Sequence, residues 1–159
     1  IHGYTRFAQE ATQAGVDGVL LVDLPPEEAA ETREIFTRHG VALIALASPT
    51  TSPERMAMLC DTAQGYLYYV SFAGVTGAGH LDAHVAGGRL HTLRARSQVP
   101  VVAGFGIKDA TSAVAMSLEA DGVVVGSALV AILAEATDPA DAASRAAAFL
   151  APLREALDA

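Results

Sequence analysis

Two glycine-bearing turns in the C-terminal part of the sequence have the composition of an anion-binding site. One is Gly104-Phe105-Gly106 and the other is Gly126-Ser127, and each directly follows a short run of β-branched residues. Glycine lets a ligand approach the main chain because no Cβ stands in the way. Ser127 is a favourable N-cap for a helix through Leu133, and a helix N-terminus presents free N–H groups with a partial positive charge. Two neighbouring strand ends of this kind predict a phosphate site.

The elements that must position these turns are strands that alternate with helices. Buried strands are predicted at 19–22, 41–47, 66–70, 101–103 and 123–125. Helices are predicted at 4–14, 27–39, 52–60, 90–96, 111–118, 127–133 and 139–157. Such alternation favours a parallel sheet with helical crossovers. The third strand runs into a glycine-rich loop, 71–79, and long loops in compact domains are usually functional.

Five parallel βα units fit either an open doubly wound sheet or part of a (βα)₈ barrel. A full barrel needs about 250 residues, so a chain of 159 residues is short by roughly three units. We therefore expect residues 1–159 to form a single domain, in the barrel case a partial one. The sequence begins at Ile1 rather than Met, which is consistent with a truncated, processed or incompletely recorded polypeptide.

Composition and net charge limit the classes of molecule that this protein is expected to bind. The net charge of −8 argues against nucleic acid and against an anionic membrane surface. No apolar run is long enough to span a bilayer. Cys60 is the single cysteine, which excludes an internal disulfide and favours a reducing, cytoplasmic location with a buried structural thiol. The five histidines lack metal-ligand spacing, so we expect neither a metal nor a cofactor.

Four segments resemble the α subunit of tryptophan synthase, in the order of that family. They are Gly15-Val-Asp-Gly-Val-Leu-Leu-Val-Asp-Leu-Pro25 with Glu27-Glu28, Tyr68 with Ala73-Gly-Val-Thr-Gly-Ala78, Gly104-Phe-Gly-Ile107, and Ala120-Asp-Gly-Val-Val-Val-Gly-Ser-Ala128. Together they extend over nearly the whole chain. The resemblance is to the C-terminal part of the subunit, from the helix before barrel strand four onward, and it implies a TIM-barrel fold of which about five βα units and a C-terminal helix are present.

The resemblance implies a lyase of tryptophan biosynthesis. The family cleaves indole-3-glycerol phosphate to indole and glyceraldehyde 3-phosphate without a cofactor, in a cytoplasmic α2β2 complex with the β subunit. Asp23 and the Pro25-Pro26-Glu27 turn would lie on the side that meets the β subunit. Asp23 stands at a strand end, where a catalytic, a helix-capping and an interface role are all consistent with the sequence.

The resemblance also assigns roles to individual residues. The substrate phosphate would be bound by Gly104, Phe105, Gly106, Gly126 and Ser127, with a further main-chain donor at Gly77. The indole pocket would be lined by Leu20, Val22, Leu46 and Tyr68. Thr76 would hydrogen-bond the catalytic aspartate of the family and help to close its loop. That aspartate and the family's catalytic glutamate correspond to positions upstream of Ile1, so we assign no catalytic residue here and expect this polypeptide alone to be inactive.

Two alternatives remain open at this point. The two glycine turns also occur in other phosphate-binding barrels, such as sugar-phosphate epimerases and isomerases, although those lack Asp23-Leu-Pro-Pro26 and Gly74-Val-Thr-Gly77. The second alternative is a non-catalytic half-barrel that associates with itself, since open edges of a parallel sheet promote pairing between chains.

Overall fold

Five parallel strands form one sheet in the same order as they occur along the chain. The computed structural model describes residues 2–70, 80–104 and 106–159, without the side chains of 80–87. The strands are β1 (Gly18–Leu20), β2 (Ala42–Ala47), β3 (Leu67–Val70), β4 (Val101–Gly104) and β5 (Gly122–Val124). The helices are α1 (Tyr4–Gln13), α2 (Ala30–Arg38), α3 (Pro53–Thr62), α4 (His80–Arg96), α5 (Ala110–Ser117), α6 (Ser127–Ala134) and α7 (Pro139–Asp158). The predicted alternation of strands and helices is confirmed.

The prediction of one helix over 27–39 was wrong. A 3₁₀ turn, Pro26–Glu28, precedes α2, and the two are separated at Ala29. Glu28 N donates to Pro25 O at 3.0 Å and Ala29 N donates to Pro26 O at 3.3 Å, which are the i→i+3 bonds of a tight turn. The α-helical pattern starts only after it.

Strand β1 is shorter than the predicted 19–22, because its pairing with β2 ends at Leu20 opposite Ile44. The chain then turns, and Leu24 N donates to Leu21 O at 3.3 Å. Val22 and Asp23 therefore follow the strand rather than belonging to it.

Alternate residues of each strand face opposite sides of the sheet. One side is covered by α3 and α4 and carries the main core, which includes Cys60, Leu67, Tyr69, Leu93 and Val101. The predicted structural role of Cys60 agrees with this burial, which raises the pKa of its thiol. We call the opposite side the inner face. It carries Leu20, Ile44, Leu46, Tyr68, Val102, Gly104 and Val124.

Within the described ranges, no helix is both long enough and apolar enough to cross a membrane.

Candidate functional site

The parallel arrangement brings the two glycine turns to the same edge of the sheet. Gly104 pairs with Val124 on the neighbouring strand, so the chain leaves β4 and β5 side by side. Gly106, in the first turn, has a φ of +75°, a conformation that favours glycine. Phe105 lies outside the described residues, as do Thr76 and Gly77 of the predicted substrate loop.

Gly104 is in close contact with Tyr68. An ideal Cβ on Gly104 would lie 2.7 Å from Cζ of Tyr68 and closer still to its hydroxyl oxygen. The two residues stand on adjacent strands, and Tyr68 pairs with Val102, so its ring reaches diagonally toward the end of β4. The space that a side chain would occupy at position 104 is therefore filled by the phenol, which gives this glycine a packing role.

Gly126 is in the opposite situation. Nothing lies within 4 Å of an ideal Cβ at this position. Gly126, and not Ser127 as predicted, is the N-cap of α6, and no side chain accepts a hydrogen bond there. Ser127 is already the first helical residue, so its hydroxyl is not at the cap position. The N-terminal N–H groups of α6 are thus left without a side-chain acceptor, in a place that a ligand anion could reach.

Helix α5, which follows the first turn, has its N-terminus satisfied internally. The Asp109 side chain accepts from Ser112 N at 2.8 Å, and Asp109 N donates to Ser112 Oγ at 3.2 Å, which completes a capping box. These hydrogen bonds from Ser112 hold the pKa of the Asp109 carboxyl below its ordinary value. The Asp109 cap was not predicted from the sequence, although an aspartate directly before a helical segment is a known N-cap signal.

The four residues predicted for the indole pocket are only partly brought together. Leu46 and Tyr68 are paired neighbours on the inner face. Leu20 lies on the same face at β1, whereas Val22 is 72% exposed beyond the end of that strand. Val22 and Leu46 line a cavity that Leu20 and Tyr68 do not line. Tyr69, the next residue along β3, faces the helices on the opposite side of the sheet and is fully buried.

The inner-face positions of the five strands carry no carboxylate and no imidazole. Their one ionisable side chain is Tyr68, and burial raises the pKa of its phenol, which keeps it neutral. Asp23 is exposed in the turn after β1. No group of His, Cys, Asp or Glu in the described part of the chain could hold a metal ion. The strands can therefore bind and shape a ligand, but they do not supply an acid or a base.

Comparison with known proteins identifies the family. A family model described as "Tryptophan synthase alpha chain" matches residues 1–158. The chain belongs to this family. Among curated relatives, a tryptophan synthase alpha chain from Xanthomonas axonopodis pv. citri is 72% identical over 159 residues, which cover 99% of this chain and 59% of the relative. One from Xanthomonas campestris pv. campestris is 70% identical and covers 100% and 59%. The chain thus spans about three fifths of the length of these relatives.

Solved structures give the same result for the fold. The tryptophan synthase alpha chain of Legionella pneumophila aligns with a TM-score of 0.83 at 42% identity, over 99% of this chain and 58% of that one. A structure of the tryptophan synthase α2β2 complex of Pyrococcus furiosus aligns with a TM-score of 0.81 at 33% identity, over 96% and 60%. The architecture is α/β, and the five βα units form part of a TIM barrel rather than an open doubly wound sheet.

Proposed function

We propose that this chain forms the phosphate-binding and indole-binding part of a lyase that cleaves indole-3-glycerol phosphate to indole and glyceraldehyde 3-phosphate in tryptophan biosynthesis. The observation that carries the proposal is the uncapped N-terminus of α6 beside an open Gly126, at the edge where two parallel strands end. Membership of the tryptophan synthase alpha chain family supports the reaction.

The two turns would contribute unequally to phosphate binding. At the second turn, main-chain N–H groups at Ser127 and the following residue are free to donate to a dianion, and the helix dipole favours it. Gly104 and Gly106 have no side chains, so the first turn would contribute main-chain donors at these positions, and Tyr68 lies against the α-carbon of Gly104. Phe105 and Gly77 remain predicted members of the same site.

The indole part of the substrate would lie over Leu46 and Tyr68, with Leu20 and Val22 beside them. These side chains supply an apolar surface and exclude water from the ring. We place the proton transfers of the cleavage on carboxylates outside the five strands, because the inner face carries none. Thr76 would support one of those carboxylates by a hydrogen bond.

The family resemblance also underlies two further proposals. We propose that the protein works with a tryptophan synthase beta subunit, with Asp23 and the Pro25-Pro26-Glu27 turn on the contacting side. This turn is exposed at Asp23 and is fixed to α3 by an ion pair between Glu27 and Arg55. A cytoplasmic location fits a biosynthetic lyase of this family.

A binding experiment tests the phosphate site. Titration of the purified protein with glycerol 3-phosphate, followed by calorimetry, should give saturable binding. Gly126→Asp places a negative charge where the phosphate would lie, and it should weaken binding by at least about tenfold because like charges at contact distance repel strongly. The matched control is Gly88→Asp, since Gly88 is also exposed with open space around its α-carbon but lies on α4.

Equal affinity of the two variants would contradict the proposed phosphate site. The reaction itself is tested by an assay of indole release from indole-3-glycerol phosphate. The 159-residue polypeptide alone should release none. Turnover by this polypeptide would show that its own residues supply the acid and the base, and that our placement of those groups is wrong.

A further inference from the structure

The sheet opens between β1 and β2 at the edge where the strands end. Pairing between these strands stops at Leu20 and Ile44, although β2 continues to Ala47. The chain after β1 turns away, and a cavity of about 340 Å³ lies between that segment, β2 and helix α3. Cavities of this size accommodate small ligands. The phosphate turns are on β4 and β5, at the other side of the sheet.

The main chain of Leu46 faces this cavity without a partner. Ala42 N donates to Asp17 O at 2.8 Å, on the β1 side of the strand, whereas Leu43 N points the other way, to Gln64 Oε1 at 3.1 Å. In a strand, successive residues direct their N–H and C=O groups to opposite sides. Leu46 therefore directs its N–H and C=O toward the β1 side, where no described residue bonds to them.

The lining of the cavity is mixed, with apolar side chains beside six polar or charged ones. Its apolar lining includes Leu21, Leu24, Ala29, Leu43, Ala45 and Leu59. Hydroxyl groups are contributed by Ser48, Thr51 and Thr62, and charged groups by Asp23, Arg33 and Arg55. A ligand with an apolar body and a polar end would match both parts of this lining.

The charged side chains in the lining determine which charge the polar end of a ligand should carry. Arg55 is already neutralised, since its Nε and Nη2 donate to the two carboxylate oxygens of Glu27 at 2.7 and 2.9 Å. Arg33 is half-buried and forms no ion pair with any residue that the structure describes. An arginine that lines a partly enclosed cavity and has no ion-pair partner favours a carboxylate on the ligand. Asp23 is also in the lining and is exposed, so it disfavours a second negative charge on the ligand.

We propose that this cavity is a binding site for a small apolar monocarboxylate. The carboxylate pairs with Arg33, the apolar body packs against Leu21, Leu43 and Leu59, and the N–H of Leu46 provides a second donor. Neither phosphate turn contributes to the site, so its occupancy can be tested separately from phosphate binding. It does include Val22 and Leu46, so an occupant would also affect the surface predicted to bind indole.

The probe that tests the site is 3-phenylpropionate, which has a ring, a short stem and one carboxylate. Titration of the purified protein, followed by amide NMR spectra and calorimetry, should give saturable binding with a shift of the Leu46 amide signal. Arg33→Gln should weaken binding by about tenfold or more, which corresponds to the loss of a charge-assisted hydrogen bond. The neutral analogue 3-phenylpropanol lacks the carboxylate. It should bind the unaltered protein no more tightly than 3-phenylpropionate binds Arg33→Gln.

The matched control is Arg38→Gln on the same helix. Arg38 is exposed, lies 3.9 Å from Glu34 and does not line the cavity, so its removal should leave the affinity for 3-phenylpropionate unchanged. Circular dichroism checks that both variants are folded, and Arg33→Lys, which keeps the charge, should recover part of the affinity. Failure of the acid to bind at millimolar concentration, equal binding of acid and alcohol, or equal effects of the two glutamine variants would each overturn the proposal. Glycerol 3-phosphate affinity should be the same in all variants, so this result is separable from a failure of the phosphate site.

Discussion

The turns after β4 and β5 both contain a glycine, but the two glycines have different physical environments. Both begin with glycine at the same sheet edge, on strands that are paired with each other. At Gly104 the place of a side chain is filled by Tyr68, and the helix that follows is capped by its own Asp109. At Gly126 that place is open, and helix α6 begins without a side-chain cap. Glycine therefore allows close packing at the first turn, whereas at the second turn it leaves space for a ligand.

The largest expected effect on stability is that of Gly104→Ala, which tests the packing role of this glycine. The added methyl group would overlap the ring of Tyr68, whose Cζ is 2.7 Å from the ideal Cβ position. Overpacking of this kind costs roughly 1–3 kcal/mol, and we expect a loss in this range in the free energy of unfolding, measured by urea denaturation. In the double variant Gly104→Ala with Tyr68→Ala, the loss should be smaller than the sum of the two single losses, because the second change removes the overlap.

Gly122→Ala is the matched control for this effect. Gly122 is also a strand glycine on the inner face, but an ideal Cβ there meets its nearest neighbour, Cγ1 of Val102, at an ordinary 3.4 Å. We expect its effect on stability to be clearly smaller than that of Gly104→Ala. Additive losses in the double variant, or equal losses at 104 and 122, would mean that Tyr68 does not determine the residue at position 104.

The sequence predicted the sheet and its edge well because those features depend on local signals. Runs of β-branched residues indicate the strands, and Gly15 and Gly40, both with positive φ, directly follow the predicted helix ends at 14 and 39. The environment of Gly104 was not predictable in this way, since it depends on Tyr68 from another strand. The early end of β1 was missed for a similar reason, because strand length depends on the partner as well as on residue type. Ser127 has the right chemistry for a cap, but the helix begins one residue earlier than that role requires.

Gly126→Ala should change ligand binding rather than stability, whereas Gly104→Ala should change stability. A methyl group at this position enters open space, so we expect the free energy of unfolding to change by less than about 1 kcal/mol, in line with other N-cap substitutions of this kind. The same methyl group occupies part of the space proposed for the phosphate, so glycerol 3-phosphate should bind more weakly, as measured by calorimetry. A large loss of stability with unchanged phosphate affinity would reverse the roles that we assign to the two turns.

The smallest expected effect concerns the capping of α5 and depends on pH. The hydrogen bonds from Ser112 lower the pKa of Asp109 in the folded protein, so ionised Asp109 stabilises the fold at pH values above the pKa of the unfolded chain. That contribution is lost as the pH falls through the lowered, folded-state pKa.

Asp109→Asn keeps a capping oxygen but removes the charge. The variant should therefore melt at a slightly lower temperature than the unaltered protein at pH 7, and the difference should disappear in acid. Asp17→Asn makes the same charge change at an exposed aspartate just before β1, away from a helix N-terminus and outside the ion pairs that the structure describes, and serves as the control. If the difference at Asp109 persisted in acid, the carboxylate charge would not be the stabilising feature, and the contrast between the capped α5 and the uncapped α6 would have to rest on hydrogen-bond geometry alone.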